Sequence, residues 1–164
     1  MNLRLNRFIS IQLAALAVAA FFTITFTDSS RADTAVPFRG QLRGVEIATG
    51  LEFPLLFVDV TATGNASHLG RFGMTYEITV NLVTHDTSGS AVFTAANGDQ
   101  LFTDVVGHGT SNGDDTAASV VEIHTIAGGT GRFAEATGSF IRTYSLDLIT
   151  GATAGSFMGT LVVH

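Results

Sequence analysis

The chain has no cysteine, no tryptophan and no lysine. The missing cysteine excludes disulfide scaffolds, thiol catalysis and thiolate metal sites, so the fold must be held by its own apolar core. The missing tryptophan, with tyrosine only at 76 and 144, removes the aromatic girdles of membrane-spanning barrels. Basic residues are all arginine, and acidic residues outnumber them 14 to 8. Such a balance repels phosphate backbones, which argues against nucleic-acid binding. Only two prolines occur, and no stretch is proline-rich or repetitive.

The first 32 residues differ from the rest. Arg4 and Arg7 precede an uncharged run from Phe8 to Thr27, and Ser30 and Ala32 follow at small-x-small spacing. This is the pattern of a secretory signal peptide over 1–32, cut after Ala32. An uncleaved anchor is the alternative, because about 20 apolar residues can span a bilayer. The expectation is a secreted or periplasmic protein with no membrane attachment after cleavage. Residues 33–164 then form one domain with 5 arginines against 13 acidic residues, a formal charge of −8. The acidity is spread along the chain, which favours solubility over an interaction tail.

All 18 glycines follow the leader, and they punctuate it into short segments. Between them the apolar period is two. Met74, Tyr76, Ile78, Val80 and Leu82 alternate with polar residues, the mark of a half-buried strand. Similar segments run over 38–47, 55–63, 90–95, 100–107, 118–126, 139–148 and 156–163, with 84–89 read as a turn. Asn97-Gly98 is a strong hairpin signal. Eight strands in sequential hairpins predict an all-β, eight-stranded antiparallel up-and-down β-barrel, which leaves no exposed edge. A two-sheet sandwich is the competing architecture.

The run Gly128-Gly129-Thr130-Gly131-x-Phe133-x-x-Ala136-x-Gly138 resembles the Gly-Gly-Thr-Gly-x-Phe signature of dirigent proteins and the similar turn of allene oxide cyclases. The segments 65–72 and 95–99 resemble exported bacterial proteins of that barrel type. The resemblance implies a calycin-like barrel with an apolar cavity, dirigent-like or cyclase activity without a cofactor, and a homo-oligomer, trimer or dimer. Read from its residues alone, the run is structural. Glycines permit close backbone approach, and Phe133 reads as a plug for one barrel end. A phosphate cradle would need a helix after the loop, and a strand-like segment follows.

Several residues could carry chemistry. Glu122 and His124 share a strand face with Val120 and Ile126. Pointing inward they form a proton-transfer pair. Val121, Ile123 and Thr125 form an equally apolar opposite face, so the pattern favours the pair in solvent. Asp104 shares a face with Phe102, Val106 and His108; buried there it would be an acid of raised pKa, and near a strand end it would equally be a surface residue. His68 and Arg71 fall in a turn region suited to a barrel mouth. Tyr76, Phe102 and His108 complete the ligand-contact candidates, and Glu122, His124 and Asp104 are the catalytic ones. No metal-ligand spacing is present among His85-Asp86, His108, Asp114-Asp115 and Glu122-x-His124. No cofactor is expected. Two functions stay open: a pocket for a small apolar molecule, binding or isomerising it, or a non-catalytic exported module with a solid core.

Overall fold

The computed structural model describes residues 33–163. The leader expected over 1–32 lies outside the described residues. Eight strands follow in order: β1 (Thr34–Glu52), β2 (Leu55–Ala66), β3 (Gly70–Asn81), β4 (Asp86–Ala95), β5 (Gln100–Ser111), β6 (Ala117–Gly129), β7 (Thr137–Asp147) and β8 (Ala152–Val163). Each pairs antiparallel with the next, and β8 returns to β1 to close the barrel. Closure pairs every edge, which removes the templating hazard of an open sheet. The sandwich alternative is thereby excluded.

Strand boundaries depart from the pattern at several ends, β5 for example running on to Ser111. β1 runs to Glu52 and β8 starts at Ala152. β4 starts at Asp86, inside the segment read as a turn. The turn itself is tighter, with the His85 N–H donating to the Asn81 carbonyl at 2.7 Å and His85 at φ +60°. Leu82 lies past the end of β3 and is exposed. Where a strand is longer than its pattern, pairing with a long neighbour carries it through residues whose own pattern is weak.

The interior has two storeys. At one end, which carries the β2–β3, β4–β5 and β6–β7 turns, phenylalanines fill the barrel. Phe38, Phe140 and Phe157 lie with ring centroids 4.8–5.2 Å apart, and Phe72, Phe93, Leu101 and Leu161 pack round them. Burying each such ring is worth roughly 1.5–3 kcal/mol. The five phenylalanines therefore contribute on the order of 10 kcal/mol, comparable to a domain's whole net stability.

The glycine-rich run caps this end. A single turn of 3-10 helix over Gly131–Phe133 carries the buried Phe133 inward. Thr130 ties the turn to β5, its N–H donating to the Gln100 carbonyl at 2.8 Å and its Oγ1 accepting from the Gln100 N–H at 2.9 Å. Gly138 sits at φ +124°, and a Cβ there would run into the Thr160 carbonyl. The run is a structural lid, and a strand follows it where a phosphate site would need a helix.

The opposite end, with the β1–β2, β3–β4, β5–β6 and β7–β8 connections, holds no such plug. A cavity of about 240 Å³ opens there. Among the described residues no helix is long and apolar enough to cross a membrane.

Candidate functional site

The cavity wall is built by strand parity. Leu56 and Val58 of β2, Ile78 and Val80 of β3, Val120 of β6 and Leu146 of β7 all line it. Leu82, His85, Ser111, Asp115 and Leu148 form the rim, and Glu46, Thr87 and Tyr144 are the polar groups further in. About eight waters' worth of space is less than the roughly 300–1,000 Å³ of a drug-sized pocket, so the space suits a small molecule.

Below the cavity, between it and the phenylalanine plug, sits a buried polar network centred on Glu122. Cross-strand register brings Gly107, Glu122, Arg142 and Phe157 into one row over β5 to β8. Glu122 Oε1 accepts from the Tyr76 hydroxyl at 2.8 Å and from the Tyr144 hydroxyl at 3.2 Å. Its Oε2 accepts from Arg142 Nη1 at 3.0 Å and faces His124 Nε2 at 3.4 Å. His124 Nδ1 lies 2.9 Å from Thr103 Oγ1, and its ring stacks on Phe140 with centroids 4.5 Å apart. The Arg142 guanidinium lies over the Tyr144 ring, 3.8 Å from its centroid. Glu122, His124 and Arg142 are each at most 1% exposed. Gly107 makes the space: a Cβ there would stand 2.6 Å from Glu122 Cγ.

The electrostatics follow from this arrangement. Burial pushes the Glu122 carboxyl up, but His124, Arg142 and Tyr76 together outweigh it and hold the pKa below the ordinary value. Burial pulls His124 down against the pull of Glu122. The site is therefore a carboxylate–guanidinium pair beside a neutral imidazole. A carboxylate only accepts, so the imidazole proton sits on Nε2 and Nδ1 accepts from the Thr103 hydroxyl. Burial and the Glu122 charge raise both tyrosines well above their ordinary range, so they stay protonated as donors. Glu46 differs: burial raises its carboxyl against the opposing pull of the Tyr144 hydroxyl and the Arg142 charge, while its Oε1 is buried without a hydrogen-bond partner of its own.

The structure sorts the candidate residues. Glu122 and His124 point inward, against the expectation that they lie in solvent. The apolar alternative face of β6 points out instead, leaving Val121 and Ile123 each 49% exposed. Four donors from β3, β6 and β7 meet the carboxylate inside, which satisfies it far better than a wall of valine would. Neither Glu122 nor His124 lines the cavity. Tyr144 lines it and connects it to Glu122. Tyr76 is buried in the network.

Asp104 is exposed on the outer wall, which selects the surface alternative over the buried acid. Phe102 and His108 share that outward face, and His108 pairs with Asp86 at 3.0 Å. Parity is the reason, since Leu101, Thr103 and Val105 take the inward positions of β5. His68 and Arg71 lie in and beside the β2–β3 turn, at a barrel end as expected, but not at the open one. His68 lies at the plugged end, in a surface groove with Arg132 and Glu135, and Arg71 lies on an outer-wall groove with Arg43. Neither reaches the cavity.

Glu46, Thr87, Thr103, Arg142 and Tyr144 were not among the candidates. Parity with Phe38 and Leu42 pointed to Glu46, and parity with Phe140 and Leu146 pointed to Arg142 and Tyr144. Among the described residues no group of three or more potential ligands could hold a metal ion.

Solved structures with this architecture exist. The pterocarpan synthase dirigent protein GePTS1 superposes with a TM-score of 0.61 at 14% identity, over 82% of this chain and 88% of that one. The pterocarpan synthase dirigent protein PsPTS1 gives a TM-score of 0.55 at 16% identity, over 82% and 96%. The fold is a dirigent-like barrel. No protein-family profile and no curated protein matches the sequence. At these identities the likeness concerns the backbone alone.

Proposed function

We propose that this dirigent-like barrel is an exported protein, secreted or periplasmic, that takes a small apolar molecule into its open end and rearranges it without a cofactor, by isomerisation or cyclisation. The observation that carries the reading is the sequence of layers along the barrel axis. An apolar wall lies over a buried, hydrogen-bonded carboxylate network, with Tyr144 belonging to both. Stability alone does not call for a buried glutamate, arginine and histidine, because apolar residues of the same volume often serve it as well or better. Two likenesses of fold are to proteins described as pterocarpan synthase dirigent proteins, which agrees with chemistry on a small molecule. Tyr144 and Glu46 are the groups placed to touch a ligand. Glu122, Arg142 and His124 are positioning residues that fix the Tyr144 hydroxyl.

Naphthol, a fluorescent two-ring alcohol, tests the site. Saturable binding that is lost in Val120→Phe or Ile78→Phe, variants that fill the cavity, is the expected result. Absence of saturable binding, or equal binding in folded cavity-filling variants, overturns the reading.

One observation favours the second function, a surface that associates with another copy of the chain. The outward positions of β6, β7 and β8 carry no charged side chain except Asp147 at the rim, in a domain of charge −8. Val106, Ile123, Ile141 and Met158 form one cross-strand row on that side, each 49–72% exposed. At strand spacings of about 4.8 Å and 3.3 Å per residue, three strands give roughly 500 Å² per copy. That reaches the ~1,000 Å² total of the smallest specific interfaces, on the one face where like-charge repulsion between copies is least.

A further inference from the structure

The cavity carries information about its ligand beyond size and apolarity, and this inference rests on the pocket reading above. Two buried polar atoms of cavity-lining residues have no hydrogen-bond partner: Glu46 Oε1 on β1 and Thr87 Oγ1 on β4. Buried polar groups in folded proteins are nearly always satisfied, and an orphan costs about 1–3 kcal/mol. Two orphans on the wall of one cavity are a cost that a ligand oxygen can remove.

We infer that the cavity selects an uncharged molecule with an apolar body and one hydroxyl oxygen, and that Glu46, with Thr87 as the second polar contact, recognises that oxygen. The charge preference follows from what surrounds the two residues. An anionic head group would enter past Asp115 at the rim and approach the Glu122 carboxylate below Tyr144. A cationic head group would approach the Arg142 guanidinium, whose Nε and Nη2 are buried without partners. His85 is the remaining titratable group at the rim, and it is exposed. Of the two hydrogen-bond roles, donor to a carbonyl or acceptor from a hydroxyl, the Glu46 carboxyl fills the second through its unpartnered Oε1. Thr87 does either. A neutral hydroxyl is thus the head group that both residues can serve without an unpaired charge.

Four probes with the same body separate the possibilities: naphthalene, naphthol, naphthoic acid and naphthylmethylamine, titrated at neutral pH. Naphthol is expected to bind about 5- to 10-fold more tightly than naphthalene, the worth of one buried hydrogen bond, and the acid and amine more weakly than naphthol. Glu46→Leu is expected to erase the naphthol-over-naphthalene ratio, and Thr87→Val to reduce it. Glu46→Gln, which keeps a donor and an acceptor, retains most of it and guards against a misfolded Leu variant. Tightest binding by the amine would make Glu46 a counter-ion and overturn the inference. So would tightest binding by the acid, or an unchanged ratio in folded Glu46→Leu. Failure of naphthalene and all three derivatives to bind would instead remove the pocket reading itself, and the inference with it.

Discussion

Glu122→Gln tests whether the buried network is an ion pair or a set of interchangeable hydrogen bonds. The substitution keeps volume and shape. The amide oxygen still accepts from Tyr76 and Tyr144, whose hydroxyls lie at 2.8 and 3.2 Å in the wild type. The amide nitrogen takes the Oε2 position, 3.4 Å from His124 Nε2 and 3.0 Å from Arg142 Nη1. His124 can adapt by moving its proton to Nδ1 and donating to Thr103. Arg142 cannot adapt: it is always charged and 1% exposed, and it loses its only counter-charge in direct contact among the described residues. Removing one partner of a buried pair costs about 3–5 kcal/mol. At roughly 3–5 °C per kcal/mol for a domain of this size, the thermal midpoint falls on the order of 10–20 °C. In Glu122→Gln/Arg142→Met the stranded charge is gone, and most of the loss returns. The assay is urea unfolding by far-UV circular dichroism on the two single variants and the double, read as a mutant cycle. A Glu122→Gln loss below about 1 kcal/mol would refute the reasoning, as would a double variant no more stable than Glu122→Gln.

The pH dependence has a determined sign. His124 is held neutral below its ordinary 6.5, so its contribution is present above 6.5 and is lost as pH falls below that value, where the unfolded chain binds the proton first. Glu122, held below its ordinary 4.5, adds a second loss as pH falls below 4.5. Glu46 has the opposite sign: raised above 4.5, it favours the fold at low pH and loses that contribution as pH rises through its folded value. Stability should decline from pH 7 to 5.5, and His124→Asn should flatten that decline; an equal slope in both proteins removes His124 from the account. Gly107→Ala should destabilise the domain by about 1–3 kcal/mol, because its Cβ meets Glu122 Cγ at 2.6 Å and Thr87 Oγ1 at 2.8 Å. A wild-type urea midpoint would show that the network yields without cost. Ile141→Glu, in the centre of the uncharged outer row, should shift a concentration-dependent dimer to monomer in light scattering while leaving the thermal midpoint within a few degrees. A wild-type protein that is monomeric at all concentrations would rule out that face as an interface.

The period-two pattern and the glycine punctuation determined the barrel, because side-chain alternation and turn chemistry are local properties of the chain. The plug role of Phe133 was legible for the same reason. What local pattern could not decide was which face of a strand points inward when both are equally apolar. On β6, Val121 and Ile123 compete with Val120 and Ile126, and only registration against Gly107 and Arg142 turns Glu122 inside. On β5 the same decision, made by Leu101 and Val105, sends Asp104 to solvent. The ends of the barrel were equally hidden. His68 lies near sequence features of a loop site, yet strand direction assigns it to the plugged end, while His85 and Asp115, thirty residues apart in sequence, share the open rim. Glu46 belongs to the cavity because closure brings β1 beside β8. Burial, and with it the chemistry of every ionisable group in this barrel, is a property of the closed sheet, which no single strand contains.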